Sequence, residues 1–522
     1  MKASIVIKNG KLMTMDSQRP EADWIAIGED RILSVGDGEE YSGYIDCDTR
    51  IIDADGATVV PGFIDSHFHT VITALSESRI SLEGARNFKE VGKRLKAARS
   101  KAKSKDKMIV ATKLDCDKLE EGRFPDRTVL DKYCRDIPVA VYTTDYHALM
   151  LNTCGILYFR APFTLNGVDI DENGMPTGIF TAQAGARLEA NIREAVSDSE
   201  LELALETVMP KLFAHGLTTV AAMEGGNMNF GFGEDYDCEY IYQNRCKYPL
   251  DMELFYPTTD IEIVESKGLK RIGGALYLDG TLGRRTAALS TDYCDAPGTR
   301  GLLYVEPDSL REFVVACYEK NLQLALDIIG DAAIEEALCA FEYAQRLYAK
   351  KQLRNRIEHC EMMRVDQMKR AAELGIIVSV QPTYEGCWGG SGSMYHRRLG
   401  ARYRETNQFR SMIDSGLVVC GGSDSDVTDL NPLVGIHYAV NHPVAAHRVS
   451  LSEAVAMYTR NGAYGLFLEN EVGSLTPGKK ADVVILEKDL QTLNPKKIKD
   501  VKVSLTVKQG KVLHNRGFHA ET

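Results

Sequence analysis

Between about residues 56 and 465 the chain alternates short apolar runs with longer amphipathic stretches, as strands and helices taking turns would. Eight runs read as strands: 58–66 (TVVPGFIDS), 217–223 (LTTVAAM), 250–256 (LDMELFY), 272–278 (IGGALYL), 322–328 (LQLALDI), 355–359 (NRIEH), 376–381 (IIVSVQ) and 417–422 (LVVCGG). Gly216, Gly375 and Gly416 stand where a helix would end ahead of three of them. Eight such units predict an α/β fold, a distorted TIM-type (β/α)8 barrel over 56–465. The spacing is uneven once, where about 150 residues separate the first strand from the second. The insertion, at about 75–200, holds its own strand-like runs at 109–115 (IVATKLD) and 138–144 (PVAVYTT), and reads as a lid or side subdomain.

The two ends resemble each other. Residues 4–13 (SIVIKNGKLM) are two apolar runs around Asn9-Gly10, a hairpin signal, and 503–513 (VSLTVKQGKVL) repeat the pattern around Gln509-Gly510. Residues 473–489 add a turn and a strand. Isolated hairpins are unstable without a partner sheet, so both ends are expected to build one discontinuous β-sandwich domain, 1–55 with 466–522.

Active sites of such barrels lie at the C-terminal ends of the strands. Strand one ends in His67-Phe68-His69, and side chains at i and i+2 share a strand face, so both imidazoles can reach one ion. Strand five ends in Asp327, strand six in His359, and strand eight runs into Asp424 and Asp426. Taken singly, each has an ordinary structural reading: Asp424 a helix N-cap, Asp327 an internal salt bridge. Convergence of imidazoles and carboxylates on one mouth points instead to a divalent ion such as Zn²⁺.

Composition narrows the class. With 522 residues and 44% hydrophobic content the chain can bury a large core and form two or more domains. A formal net charge of −12 argues against nucleic acid as the main partner. No apolar run has the length of a signal peptide or of a membrane span. The 12 cysteines include no CxxC, as reduced thiols of a cytoplasmic protein would.

The sequence resembles the amidohydrolase superfamily, and more narrowly the branch that includes N-substituted formamide deformylases. The matching motifs run from GATVVPGFIDSHFHT (56–70) through YLDGTLGRRTAAL (277–289), RIEHCE (356–361), VSVQPTY (378–384) and GGSDSDV (421–427) to VGSLTPGKKADVVIL (472–486). The resemblance implies that His67, His69, His359 and Asp424 gather around one or two metals. It also shows departures. The family's strand-five residue is usually His, and here it is Asp327. Strand four carries no Lys to bridge two metals, and Ala182 in PTGIFTAQ replaces the Glu that some relatives have after this motif. A single Zn²⁺ is therefore the leading expectation, with two metals as the alternative.

A metal with an open position lowers the pKa of bound water from 15.7 to about 7. Asp424 would then act as general base and acid, and the metal with His359 would polarise the carbonyl. The implied reaction is hydrolysis of a C–N bond in an amide, formamide or cyclic amide of a small molecule. Deamination of a heterocyclic amine on the same site is one alternative, and a binding protein with an altered barrel is another. His147, Asp279, Arg284 and Trp388 are candidate substrate contacts, Arg284 for an anionic group. The glycine-rich, then basic segment 388–410 reads as a mobile flap or a solvated basic helix. His215, His437, His442 and His447 read as structural. The oligomeric state is open, a homo-oligomer included.

Overall fold

A computed structural model describes residues 2–101, 108–144, 146–225, 236–349 and 351–518. Eight parallel strands form its centre: Phe63–Phe68, Leu217–Ala222, Asp251–Leu254, Arg271–Tyr277, Gln323–Ile328, Arg356–His359, Ile377–Val380 and Val418–Gly421. They match the eight runs expected from the apolar pattern and are numbered one to eight here. Strands three, two and one form one sheet, and strands four to eight another, each in that spatial order. The sheets meet on both sides through single parallel bridges, Tyr256 with Ile272 and Phe68 with Ser425. The helices between strands bury an apolar face. Asp198–Ala214, for example, starts in a capping box of Ser197 and Glu200 and buries Leu201, Leu205, Val208 and Leu212. Gly216, Gly375 and Gly416 all sit at positive φ, the left-handed turn that ends a helix and starts a strand.

Strand one is shorter than its apolar run suggests. Residues Thr58–Pro61 belong to a different sheet, and the chain crosses at Gly62 into Phe63–Phe68. The residues on both sides are apolar, and Pro61-Gly62 supplies the turn between the two sheets. Thr58–Pro61 pairs antiparallel with Val483–Leu486 from the other end of the chain. The six-stranded sheet so formed packs on a four-stranded sheet of residues 5–53. Ile5, Ile7, Ile25, Ile52, Val59, Val483, Ile485, Leu505 and Val507 share the core between them.

One expected hairpin forms and the other does not. Val503–Lys508 and Lys511–Asn515 pair antiparallel. Ile5–Lys8 and Lys11–Met13, in contrast, lie in separate sheets, the first beside Trp24–Ile27 and the second beside Thr58–Pro61. The Asn9-Gly10 turn lets the chain step from one sheet to the facing one, a move open to the same turn residues.

The insertion has a six-stranded sheet, ordered Val168–Ile170, Pro176–Thr181, Ala148–Leu151, Val139–Thr143, Ile109–Leu114, Ile80–Ser81. Strand alternation serves two cores. Ile109, Ala111, Val139 and Val141 pack with the helix Phe88–Lys101. Val110, Ala140 and Tyr142 pack with the helix Ala182–Glu194. No helix among the described residues is long and apolar enough to cross a membrane.

The C-terminal strands are tied to the parallel strands by a buried charge. Lys508 is 4% exposed, and its Nζ lies 2.8 Å from Asp251, which opens strand three, and 3.1 Å from Asp482. Removing Lys508 leaves the buried Asp482 carboxylate without its cation. Lys508→Met is expected to destabilise the protein by about 3–5 kcal/mol. An unchanged urea-unfolding midpoint would contradict this account of the junction.

Candidate metal centre

His67 lies in strand one and His69 just past it, at the N-cap of the helix Thr70–Ser78. Their rings are 5.3 Å apart. The helix start is fixed by buried Glu224, which follows strand two and accepts the N–H groups of Thr70 (2.7 Å) and Val71 (3.2 Å). The backbone of strand one is held to strand eight by Asp65, whose carboxylate accepts the N–H groups of His67 (3.1 Å) and Ser423 (3.0 Å). Gly422 permits this approach: a Cβ there would lie 2.6 Å from the His67 nitrogen. Asp424 then donates its N–H to the His67 carbonyl at 2.9 Å.

Strand six supplies two side chains to one centre through a break in its alternation. Ordinarily adjacent residues face opposite sides. Here His359 has φ 67° and Cys360 φ 54°, so the chain turns just as it leaves the sheet. Glu358 therefore stays inside while His359 reaches the mouth. The Glu358 carboxylate accepts the Nδ1–H of His67 at 3.0 Å and is gripped by Arg356 at 2.8 and 3.0 Å. Burial alone would push Glu358 up, but Arg356 and His67 more than offset it and hold it at about 2. The bond fixes the orientation of the His67 ring, with Nε2 facing the other ligand candidates.

The remaining members converge on that nitrogen. Asp424 Oδ1 is 2.9 Å from His69 Nε2 and 3.3 Å from His67 Nε2. His359 donates from Nε2 to Asp327 Oδ2 at 2.9 Å. Two groups with the reach of metal ligands result, His67–Asp327–His359 and His67–His69–Asp424, each with its ligand atoms within 4.8 Å of one another. All five residues are buried, and they share His67. His67 Nε2, His69 Nδ1 and His359 Nδ1 are buried without a hydrogen-bond partner. Of these only His67 Nε2 faces the carboxylates, and a bound cation would satisfy it, so the donor set fits a divalent metal. The local field agrees. Burial lowers the basicity of His67 and His359, yet the surrounding carboxylates win and push them up to about 10 and about 9. Positive charge is favoured at this point.

Sequence reasoning missed four supporting residues: Asp65, Glu224, Glu358 and Tyr384. The Tyr384 hydroxyl donates to Asp424 Oδ2, and its ring lies parallel to that of His359 at 6.0 Å. Trp388 packs edge-on against Tyr384 at 4.6 Å. Glu358 and Tyr384 sit inside the RIEH and QPTY runs, but nothing in the alternation shows that the backbone turns at His359.

The centre opens into a cavity of about 230 Å³. His147, Asp279, Arg284 and Trp388 all line it. Asp279 uses its carboxylate on the backbone, accepting N–H groups of Ala288 (2.7 Å), Gly330 (2.8 Å) and Ile329 (3.0 Å), and so clamps the loops after strands four and five. The Arg284 guanidinium lies over the Phe124 ring at 5.3 Å. The basic segment 388–410 is anchored at several points, while Arg397 and Arg404 stay exposed. Tyr395 donates to Glu361, Arg398 binds Asp295 and the Gly283 carbonyl, and Thr406 and Asn407 donate to Glu385.

Residues 50–514, most of the chain, match the model of the Amidohydrolase family. The chain belongs to the amidohydrolase family. It is therefore a hydrolase of the class that acts on carbon–nitrogen bonds. This amidohydrolase is 29% identical over 513 residues to Protein LONG AFTER FAR-RED 3 of Arabidopsis thaliana, covering 93% of this chain and 87% of the plant protein. It is 23% identical to the N-substituted formamide deformylase of Arthrobacter pascens over 545 residues, covering 98% of each chain. The crystal structure of an uncharacterized metal-dependent hydrolase from Pyrococcus horikoshii OT3 shares the amidohydrolase's fold. Its TM-score is 0.75 at 24% identity, covering 94% of this chain and 99% of the other.

Supporting residues of metal-ligating histidines typically change affinity by about 10–100-fold when replaced. Glu358→Gln in the amidohydrolase should weaken metal binding by that factor in competition with a chromophoric chelator. Wild-type affinity in the folded variant would remove Glu358 from the centre's support.

Proposed function

We propose that this amidohydrolase hydrolyses a C–N bond of a small-molecule amide, formamide or cyclic amide. The observation that carries the reading is the buried cluster of three imidazoles and two carboxylates around the unpartnered His67 Nε2, beside a cavity. His67, His69, His359 and Asp424 would hold one divalent ion, most simply Zn²⁺, with Asp327 as a further ligand or as the hydrogen-bond partner of His359. Strand four ends in Tyr277 and offers no bridging Lys, which supports one ion over two. When bound, the ion supplies Lewis acidity, lowering the pKa of a water and polarising a carbonyl.

The protein's own groups do the rest. Asp424 is the proton carrier: it takes the proton of the attacking water and delivers it to the departing nitrogen. Burial would raise Asp424, but His67 and His69 overcome that and keep it ionised. The Tyr384 hydroxyl holds Oδ2 while Oδ1 faces the histidines, so the carboxylate cannot rotate freely. His359 adds polarisation at the carbonyl. The near absence of exposure at the centre keeps bulk water from competing. We take the eight strands as one distorted barrel over 56–465, with the insertion at about 75–200 roofing the cavity. On the same reading, 1–55 and 466–522 form one discontinuous β-sandwich domain.

Metal analysis of protein purified without added metal should give about one equivalent of a divalent ion. A screen of N-acyl, N-formyl and cyclic amides should then find a substrate that Asp424→Asn, with its metal retained, turns over at least about 100-fold more slowly. Undiminished turnover would overturn the role of Asp424. Ammonia release from heterocyclic amines would assign a deaminase in its place.

A further inference from the structure

Strand four reaches the metal centre through a bulge. Its register against strand five runs from Gly273 opposite Ala325 to Tyr277 opposite Asp327, so four steps of one strand span two of the other. Gly273 and Gly274 take up the difference at φ 95° and 89°. A Cβ on Gly273 would collide with the Ala325 carbonyl oxygen, so the close approach of the two strands requires glycine there. The bulge brings Tyr277, the last residue of strand four, level with the ligand candidate Asp327. Leu278 then donates its N–H to the Asp327 carbonyl at 2.9 Å, and the Asp279 clamp holds the loop beyond.

Tyr277 lines the cavity together with His69, Asp327, His359 and Asp424. Other phenols on the same wall are committed. Tyr384 donates to Asp424, Tyr395 to Glu361 and Tyr146 to Asp426. The Tyr277 hydroxyl has no hydrogen-bond partner among the described residues, and its ring faces that of His147 at 6.5 Å. Tyr142 also lacks such a partner, but it stands in the insertion strand Val139–Thr143 and packs on Tyr146. Burial, and after it the charges of Asp327 and Asp424, push the Tyr277 phenol well above its usual range. At neutral pH it is a hydrogen-bond donor and not a base.

We infer that Tyr277 is a catalytic donor: its hydroxyl hydrogen-bonds the carbonyl oxygen of the bound substrate and stabilises the negative charge that develops there as water adds to the carbonyl carbon. This rests on the hydrolase reading of the centre. The hydroxyl transfers no proton, and Asp424 remains the carrier. Asp327 and Asp424 would together offset the charge of a divalent ion, so the developing oxygen charge depends more on a donor from the protein than it would beside imidazole ligands alone.

Two neutral probes share a phenyl group suited to the ring-lined cavity. N-benzylacetamide is planar at its carbonyl, whereas phenethyl trifluoromethyl ketone takes up water to become tetrahedral there, which fluorine NMR reports. Tyr277→Phe removes one oxygen atom and keeps the ring. Titration calorimetry on the metal-loaded full chain should show Tyr277→Phe binding the ketone at least about tenfold more weakly than the wild type, with the amide within about twofold. Metal affinity, measured by chelator competition, should stay unchanged, which a general disturbance of the centre would not allow. On an amide from the substrate screen, kcat should fall about 100-fold at unchanged KM. The wild type should by itself hold the ketone as its hydrate and more tightly than the amide, a result that needs no variant. Equal loss of both probes, an unchanged ketone affinity, weakened metal binding, or a wild type without that preference overturns the inference. Selective loss of the ketone without turnover of any amide counts against the hydrolase reading alone. Turnover that Tyr277→Phe leaves undiminished counts against the role of Tyr277 alone.

Discussion

Under the metal centre lies a charged pair with no contact to solvent. Arg356 and Glu358 are both fully buried, and the desolvation of two ions is expensive unless each is well matched. Here the match is thorough. The guanidinium forks onto both carboxylate oxygens and also donates to the Ser66 carbonyl of strand one, while the carboxylate takes the imidazole proton of His67. Three strand positions are thereby locked in one register. Strand six presents the pair, strand one presents the histidine and the carbonyl, and Ser379 of strand seven donates to that same carbonyl. His67 belongs to both candidate ligand groups. A shift of this chain would therefore disturb the whole cluster and not one ligand.

A second constraint lies in the backbone. Non-glycine residues with positive φ gather at the cavity: Tyr146, Ala182, His359 and Asp424 line it, and Lys113 reaches Asp426 on its wall. Each costs roughly 1–3 kcal/mol unless its surroundings hold it. The holding groups are visible: Asp424 by His67 and Tyr384, Lys113 by Asp426, and Tyr146 by the same carboxylate. Strain and support fall on the same residues, which is where a site must keep side chains in directions the regular strand would not give them.

The legible part of the molecule follows from this. Strand pattern is a property of buried stripes, so all eight parallel strands and the residues at their C-terminal ends could be read from apolar runs. The His67–His69 pair needed only the two-residue period. What escaped was anything set by a backbone turn or by a distant partner. Glu358 looked like the ordinary neighbour of His359, because alternation should send the two apart. At the crossing, Pro61-Gly62 signals a turn but not that the strands on either side of it join different sheets. Asn9-Gly10 has the chemistry of a hairpin and also of a step between facing sheets, and only the partners of the flanking strands distinguish them. In 388–410 the pairing of Arg398 with Asp295 could not be read, because the two lie far apart in sequence.

Asp327 is the departure with the widest reach. A histidine at the end of strand five would be neutral, whereas Asp327 brings a second formal negative charge beside Asp424. On the proposed reading, these two carboxylates together balance a divalent ion, and the held ion would be a weaker electrophile than one ligated mainly by imidazoles. The added charge also changes what the cavity tolerates. With the ion's charge cancelled by its own ligands, little positive potential would extend into the space above it, and the paired Arg398 and Lys113 add none. On that reading the carboxylate on strand five would disfavour an anion near the reacting bond. A substitution that looks confined to the metal's coordination then bears on which substrates can approach it at all.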